Sequence, residues 1–195
     1  KQLGFSTLDP DPGRYGLTLT LGGAEVSLLD LCGAASTLAR GGTWLPPRFL
    51  LDEAAPAGRF IFSQGASWLV SDMLADAKRL DQVLPGAELA GRRIAWKTGT
   101  SYGHRDIWTV AWTPDYTVGV WLGNFDGSPV RPAGVEAAAP LALRLIASLP
   151  PFSGPEAWAP PPGVQRQPFC TVSGQPAGPD CPSTREDWAM PGLGP

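Results

Sequence analysis

The chain has 195 residues, the size of one domain with one substantial core. Hydrophobic residues make up 43% and charged residues 17%, a globular balance that excludes a wholly disordered chain. The net charge of −3 excludes a basic face of the kind that holds nucleic acid.

Lys1-Gln2-Leu3-Gly4 carries neither an initiator Met nor the apolar run of a signal peptide, so it reads as a cut or processed end. A helical pattern follows Gly22-Gly23 and runs from Ala24 to Ala39. Val26, Leu28, Leu29, Leu31, Cys32, Ala35 and Leu38 are its apolar positions, and Gly41-Gly42 stops it. Glu25 is expected in its first turn, where a negative charge suits the helix dipole. Cys32 reads as a small buried hydrophobe. Ser63 is placed to cap a second helix reaching about Arg79, with Trp68, Leu69, Met73 and Leu74 on its buried side.

A β region comes next. Arg93 to Thr98 is a strand expected to end at Gly99. Ile107 to Thr113 and Tyr116 to Leu122 are rich in Val, Trp, Tyr and Thr, which suit a half-buried pleated surface. Thr113-Pro114-Asp115-Tyr116 joins them as a turn, giving a three-stranded antiparallel meander. Trp96, Trp108, Trp112 and Trp121 are expected to pack on its faces, with room for one of them to line a groove. Ala137 to Leu149 forms a third helix, with Pro140 acceptable only near its first turn. It is the longest apolar stretch, is broken by Pro140 and Arg144, and is too short to span a bilayer. The fold class is therefore α+β, an antiparallel sheet flanked by helices.

Residues 150–195 hold 12 of the 22 prolines, which marks a boundary near Pro150-Pro151. Residues 151–168 read as a stiff, extended Pro-rich linker. Residues 169–195 are too short to make a domain alone and read as a tail or the first piece of one. Cys170 and Cys181 lie there, in a polar stretch where a disulfide would substitute for a missing core. They are expected to be either bonded or close enough to bond. An unstrained bond would contribute about 2–3 kcal/mol and imply an oxidising compartment. Three cysteines without a Cys-x-x-Cys pair, and one distant histidine, argue against a structural zinc site. No metal and no cofactor are expected.

One stretch concentrates chemistry: Lys97-Thr98-Gly99-Thr100-Ser101, a cation, a bare backbone and three hydroxyls at the end of a strand. Lys97 is one of three lysines in a chain with 12 arginines, which points to a need for a compact charge or a shiftable proton. Such an edge can bind a carboxylate, with Gly99 letting a ligand lie flat against the backbone. The plain alternative is a strand ending in a polar turn. His104 reads as a loop residue, and Asp106 as a partner of Arg105 or a brace for the turn.

Lys-Thr-Gly resembles the third signature of the serine-type penicillin-recognising enzymes. The wider resemblance is to the class A, bifunctional penicillin-binding proteins. Tyr15 to Leu31 looks like the helix that precedes that signature. Lys97-Thr98-Gly99-Thr100-Ser101-Tyr102-Gly103 with Arg105-Asp106-Ile107-Trp108 resembles the 1C-type members closely. Val120-Trp121-Leu122-Gly123-Asn124-Phe125-Asp126-Gly127 is similar to the strand and turn that follow. The stretch from Cys170 to Cys181 looks like the start of their small C-terminal domain.

The resemblance implies part of a penicillin-binding-protein or serine β-lactamase-like transpeptidase fold. Residues 1–150 would be its C-terminal half, 151–168 the linker and 169–195 the start of the appended domain. The parent protein would be a peptidoglycan synthase with glycosyltransferase and D,D-transpeptidase activities, cross-linking stem peptides and binding β-lactams at the periplasmic face of the inner membrane. It would meet the membrane only through an N-terminal anchor absent here. Lys97 would supply positive potential and poise protons, Thr98 and Thr100 would bind the substrate carboxylate, and Ser101 would line the site. The Thr100 N–H would donate to the oxyanion, and Gly99 would keep the edge open.

No serine in the chain has a lysine three positions later, and Asn124, the sole asparagine, is preceded two positions earlier by Leu122. Neither Ser-x-x-Lys nor Ser-x-Asn is present. The expectation is a partner in the missing N-terminal half of the same domain, and little activity in this chain alone. The competing readings are a D,D-carboxypeptidase or serine β-lactamase-like hydrolase, and a non-catalytic wall-binding module.

Overall fold

Alternation of side chains along residues 95–123 creates a sheet with two buried faces, and the helices divide between them. The computed structural model describes residues 1–84, 92–131, 136–150, 154 and 158–191. Strands β3 (Ala95–Thr100), β4 (Asp106–Trp112) and β5 (Thr117–Gly123) pair antiparallel in that order. Trp96 lies opposite Ala111, Thr100 opposite Ile107 and Trp108 opposite Trp121. The β4–β5 turn forms as expected. Thr113 N–H donates to the Tyr116 carbonyl (2.9 Å), and the Thr113 hydroxyl oxygen accepts from Asp115 and Tyr116 N–H.

One face carries Ile94, Trp96, Ile107, Ala111 and Val120 against helix α4 (Ala138–Ser148). Ala138, Ala139 and Ala142 bring that helix close to the sheet, and Leu143 and Ile146 are fully buried beneath it. Pro140 sits in the first turn of α4, where its missing N–H costs nothing. The opposite face carries Ala95, Val110 and Trp112 against α1 (Leu28–Ala39) and the end of α2 (Gln64–Leu74). Trp112 Nε1–H donates to Ser71 Oγ at 3.1 Å. Gly119 sets the approach of α1, because a Cβ there would lie 2.4 Å from Cys32 Sγ and 2.8 Å from Leu28 Cδ1. The chain is α+β, as the sequence implies.

Several boundaries differ from expectation. Helix α1 starts at Leu28 rather than Ala24, because Ser27 takes the cap and accepts from Asp30 N–H at 3.0 Å. Glu25 therefore precedes the helix instead of sitting in its first turn, and its carbonyl accepts the Thr7 hydroxyl. Residues Gly16–Leu21 wind as a 3-10 turn that ends at Gly22 in the left-handed region. The second helix is two: α2 is capped by Ser63, and α3 (Ala77–Val83) is capped anew by Asp76. Asp76 offers its carboxylate to Lys78 N–H (2.9 Å), which ends one helix and starts the next. Met73 is 65% exposed, not buried. Cys32 is only half-buried, and that burial pushes its thiol pKa up. Strand β3 begins at Ala95 and continues through Gly99 to Thr100 rather than stopping at the glycine.

β1 (Thr43–Trp44) and β2 (Arg59–Phe60) form a small separate pair. Residues 151–153 and 155–157 of the expected linker, and 192–195 of the tail, lie outside the described residues. Among the described linker residues the chain turns at 161–164, where Val164 N–H donates to the Pro161 carbonyl around Gly163. From Gln165 the chain is already β6 (Gln165–Cys170), paired with β7 (Thr184–Ala189). This hairpin rests on α2. Trp188 meets Trp68 edge-on at 5.1 Å, Met190 and Val164 fill the space above Gly65, and Trp68 Nε1–H donates to the Trp158 carbonyl. Arg93, ion-paired with Asp72, lies over the rings of Trp68 and Trp158. The apolar linker residue Trp158 thus has partners in Trp68 of α2 and in Arg93. Among the described residues no helix is long and apolar enough to cross a membrane.

Candidate functional site

Strand β3 is an edge strand, so one row of its backbone groups faces away from β4. Two bonds show which row. Ser101 N–H pairs inward with the Asp106 carbonyl (2.9 Å), whereas the Trp96 carbonyl turns outward to Arg79 Nη2 (3.1 Å). In an antiparallel ladder the sense alternates, so the N–H and C=O groups of Thr98 and Thr100 face the open edge. Arg79 also donates to the Leu74 carbonyl (2.7 Å) and stacks on the Trp96 ring at 4.6 Å. It closes the edge at Trp96 and leaves it open beyond.

Ala95 and Trp96 are buried; Lys97, Thr98, Gly99 and Thr100 are exposed. The strand period places Lys97 and Gly99 on the α1–α2 face and Thr98 and Thr100 on the α4 face. A ligand that touches Lys97 and both hydroxyls must therefore lie along the edge, not over either face. The Lys97 ammonium bends back to the Thr98 carbonyl at 2.5 Å, which brings its charge to that edge. Gly99 adds no side chain there. The arrangement offers a cation, two hydroxyls and outward N–H groups to an extended peptide that ends in a carboxylate.

The β3–β4 connection is braced from within. Ser101 Oγ–H donates to Asp106 Oδ2 (2.8 Å), Asp106 N–H donates to Ser101 Oγ (2.9 Å), and Trp121 Nε1–H donates to Asp106 Oδ1 (3.0 Å). Asp106 therefore braces the turn, one of its two expected roles, with Trp121 in place of Arg105. Ser101 commits its hydroxyl to that brace. His104 lies in the loop with a left-handed backbone, and its carbonyl accepts from Val130 N–H at 2.8 Å. Tyr102 and Phe125 stand almost fully exposed at this end of the sheet. Trp96 and Trp112 are buried, while Trp121 is 39% exposed. Sequence reading missed Arg79 and the Asp106–Trp121 bond. A carboxylate five residues after Ser101, across a loop containing glycine, was the available hint for the second; nothing local signalled the first.

Among the described residues no group of three His, Cys, Asp or Glu side chains is placed to hold a metal ion. A cleft of about 430 Å³ lined by Asp30, Cys32, Arg40 and Trp44 lies beside α1, away from β3.

The family description "Penicillin binding protein transpeptidase domain" matches residues 14–147. The chain is 36% identical over 131 residues to penicillin-binding protein 1C of Escherichia coli, covering 67% of this chain and 16% of that protein. It is 35% identical over 124 residues to penicillin-binding protein 1F of Bacillus subtilis, covering 55% of this chain and 17% of that one. The chain thus spans about a sixth of the length of these relatives. The crystal structure of penicillin-binding protein 1A from Haemophilus influenzae superposes with a TM-score of 0.73 over all of this chain and 36% of its own. Its identity of 15% makes this a likeness of fold.

Proposed function

The chain belongs to the penicillin-binding protein transpeptidase family, and from that premise we propose that it carries the substrate-anchoring wall of a serine-type D,D-transpeptidase. The parent is a class A peptidoglycan synthase at the outer face of the cytoplasmic membrane. Residues 1–150 are the C-terminal half of its transpeptidase domain, and 169–195 are the start of a small appended module. The observation that carries this reading is the exposed Lys97-Thr98-Gly99-Thr100 edge of β3.

In this reading the donor stem peptide lies antiparallel along β3, its backbone bonding the outward groups of Thr98 and its terminal carboxylate meeting Lys97 and the two hydroxyls. A β-lactam carboxylate takes the same place. Thr100 N–H points to the open edge and supplies one donor to the oxyanion that forms when the acyl carbonyl is attacked. A single such donor is worth on the order of 10²–10³ in rate. The Lys97 ammonium holds the substrate carboxylate in place, and its three donors let it also pass a proton to neighbouring groups. The nucleophile comes from polypeptide outside these 195 residues, since no serine here has the Ser-x-x-Lys spacing that sets a base one helical turn away.

Labelling with a fluorescent penicillin followed by intact mass tests this. The 195-residue chain should take no covalent adduct, and a longer polypeptide that includes an upstream Ser-x-x-Lys should take one per molecule. In that longer form Lys97→Ala should slow labelling by at least about tenfold. A stoichiometric adduct on the 195-residue chain overturns the outside nucleophile, with Ser101 the first residue to map. Unchanged labelling in Lys97→Ala overturns the anchor.

A further inference from the structure

The β6–β7 hairpin has almost no core, yet one residue at its loop end, Cys170, is only 5% exposed. What buries it is the 171–183 loop folding back. Gly174 N–H donates to the Cys170 carbonyl (2.9 Å), Cys170 N–H donates to the Gln175 carbonyl (2.8 Å), and Ala177 N–H donates to the Pro168 carbonyl (2.9 Å). That return path carries Cys181 to Cys170. Thr171 N–H donates to the Ser183 carbonyl (3.1 Å), which closes the loop beside Cys170, and Gly178 N–H donates to Cys181 Sγ at 3.3 Å. Both cysteines are free in this structure.

We propose that Cys170 and Cys181 are a disulfide-forming pair, oxidised by small-molecule or protein disulfides, that staples the loop of the C-terminal hairpin. Ser173 N–H, the Cys181 thiol, the Ser173 hydroxyl and Val172 N–H bring the Cys170 pKa down to about 6, which favours its thiolate, while Cys181 is the more exposed of the two thiols. Cys181 keeps its proton, chiefly because it donates to Cys170. With oxidised glutathione, the thiolate of one cysteine attacks one glutathione sulfur, breaks its S–S bond and releases one glutathione thiolate. The other thiol then gives up its proton, attacks the protein sulfur of the mixed disulfide and displaces the second glutathione thiolate. Two protein thiols are oxidised, one glutathione disulfide is reduced to two thiols, and the two thiol protons go to the products. Two thiols with no third His, Cys, Asp or Glu beside them among the described residues suit this chemistry better than metal binding. The pair stands clear of β3, so this inference does not rest on the transpeptidase reading, and a failed penicillin assay leaves it untouched.

The experiment uses the 195-residue chain incubated with oxidised glutathione, quenched with iodoacetamide and digested with trypsin. Arg166 and Arg185 place both cysteines in one peptide, residues 167–185. The expected product is that peptide two hydrogens lighter and unalkylated, with Cys32 alkylated after denaturation. Alkylation of both Cys170 and Cys181, a bond from either to Cys32, or a lasting mixed disulfide in the unsubstituted chain overturns the pairing. Two variants test the role of each thiol. Cys181→Ser and Cys170→Ser should each trap glutathione as a lasting mixed disulfide on the remaining cysteine, because the resolving thiol is gone. No trapped adduct in either variant overturns the pairing by thiol exchange.

Discussion

Replacing Asp106 tests whether the turn after β3 holds the candidate site in shape. Its carboxylate accepts from Ser101 Oγ at 2.8 Å and from Trp121 Nε1 at 3.0 Å, so Asp106→Ala removes both bonds. A hydrogen bond to a charged group contributes about 1.5–3 kcal/mol when buried, but Trp121 is 39% exposed and its indole N–H regains water. The expected loss is about 1–2 kcal/mol in all. Asp106→Asn separates geometry from charge. The indole is a donor only, so the amide oxygen must face Trp121, and the amide NH₂ then donates to Ser101 Oγ, which has a lone pair to spare. That variant should lose less than about 1 kcal/mol. Urea unfolding of the 195-residue chain, followed by tryptophan fluorescence, measures both. In a longer polypeptide that contains the nucleophile, the loosened turn shifts Thr100, and penicillin acylation should fall about tenfold in Asp106→Ala, the equivalent of about 1.4 kcal/mol. Stability unchanged by alanine, or asparagine as damaging as alanine, would refute the brace.

Gly119→Ala should destabilise the chain by about 1–3 kcal/mol, since its methyl would collide with Cys32 Sγ and Leu28 at the α1–β5 contact. Adding Cys32→Ala should recover part of that loss, and strict additivity in a double-mutant cycle would count against the contact. Asp30 gives a pH signature. Ser6 N–H, the Ser6 hydroxyl and Ser27 hold its carboxyl below the ordinary carboxylate value. A folded-state pKa below the unfolded one means the stabilisation is complete above about pH 4 and is lost as pH falls through the lower folded value. Hydrogen exchange should show residues 1–7 losing protection in that window, and Asp30→Asn should show no such step. Identical profiles in the two forms would contradict this.

The sequence alone determined what depends on neighbours along the chain. Runs rich in Val, Trp, Tyr and Thr in residues 107–122 specified two of the strands, and Thr113-Pro114-Asp115-Tyr116 specified their turn, because strand preference and turn chemistry act over a few residues. Ser63 announced its helix by the same local logic. The cluster from Lys97 to Ser101 was legible because unlike chemical groups stood side by side. Asp76 defeated the reading of one long helix, because a carboxylate that can cap competes with continuation, and periodicity does not say which wins. Tertiary structure decided what joins distant positions. Trp68 and Trp158 are 90 residues apart, Trp112 and Ser71 are 41 apart, and Arg79 reaches across 17 residues to close the edge of β3 at Trp96. These contacts depend on which surfaces meet after the sheet has formed, and periodicity records only that a residue is apolar or long, never its partner. The same reason explains why Thr98 and Thr100 face an open edge while Ser101 turns inward: the ladder to β4 decides it.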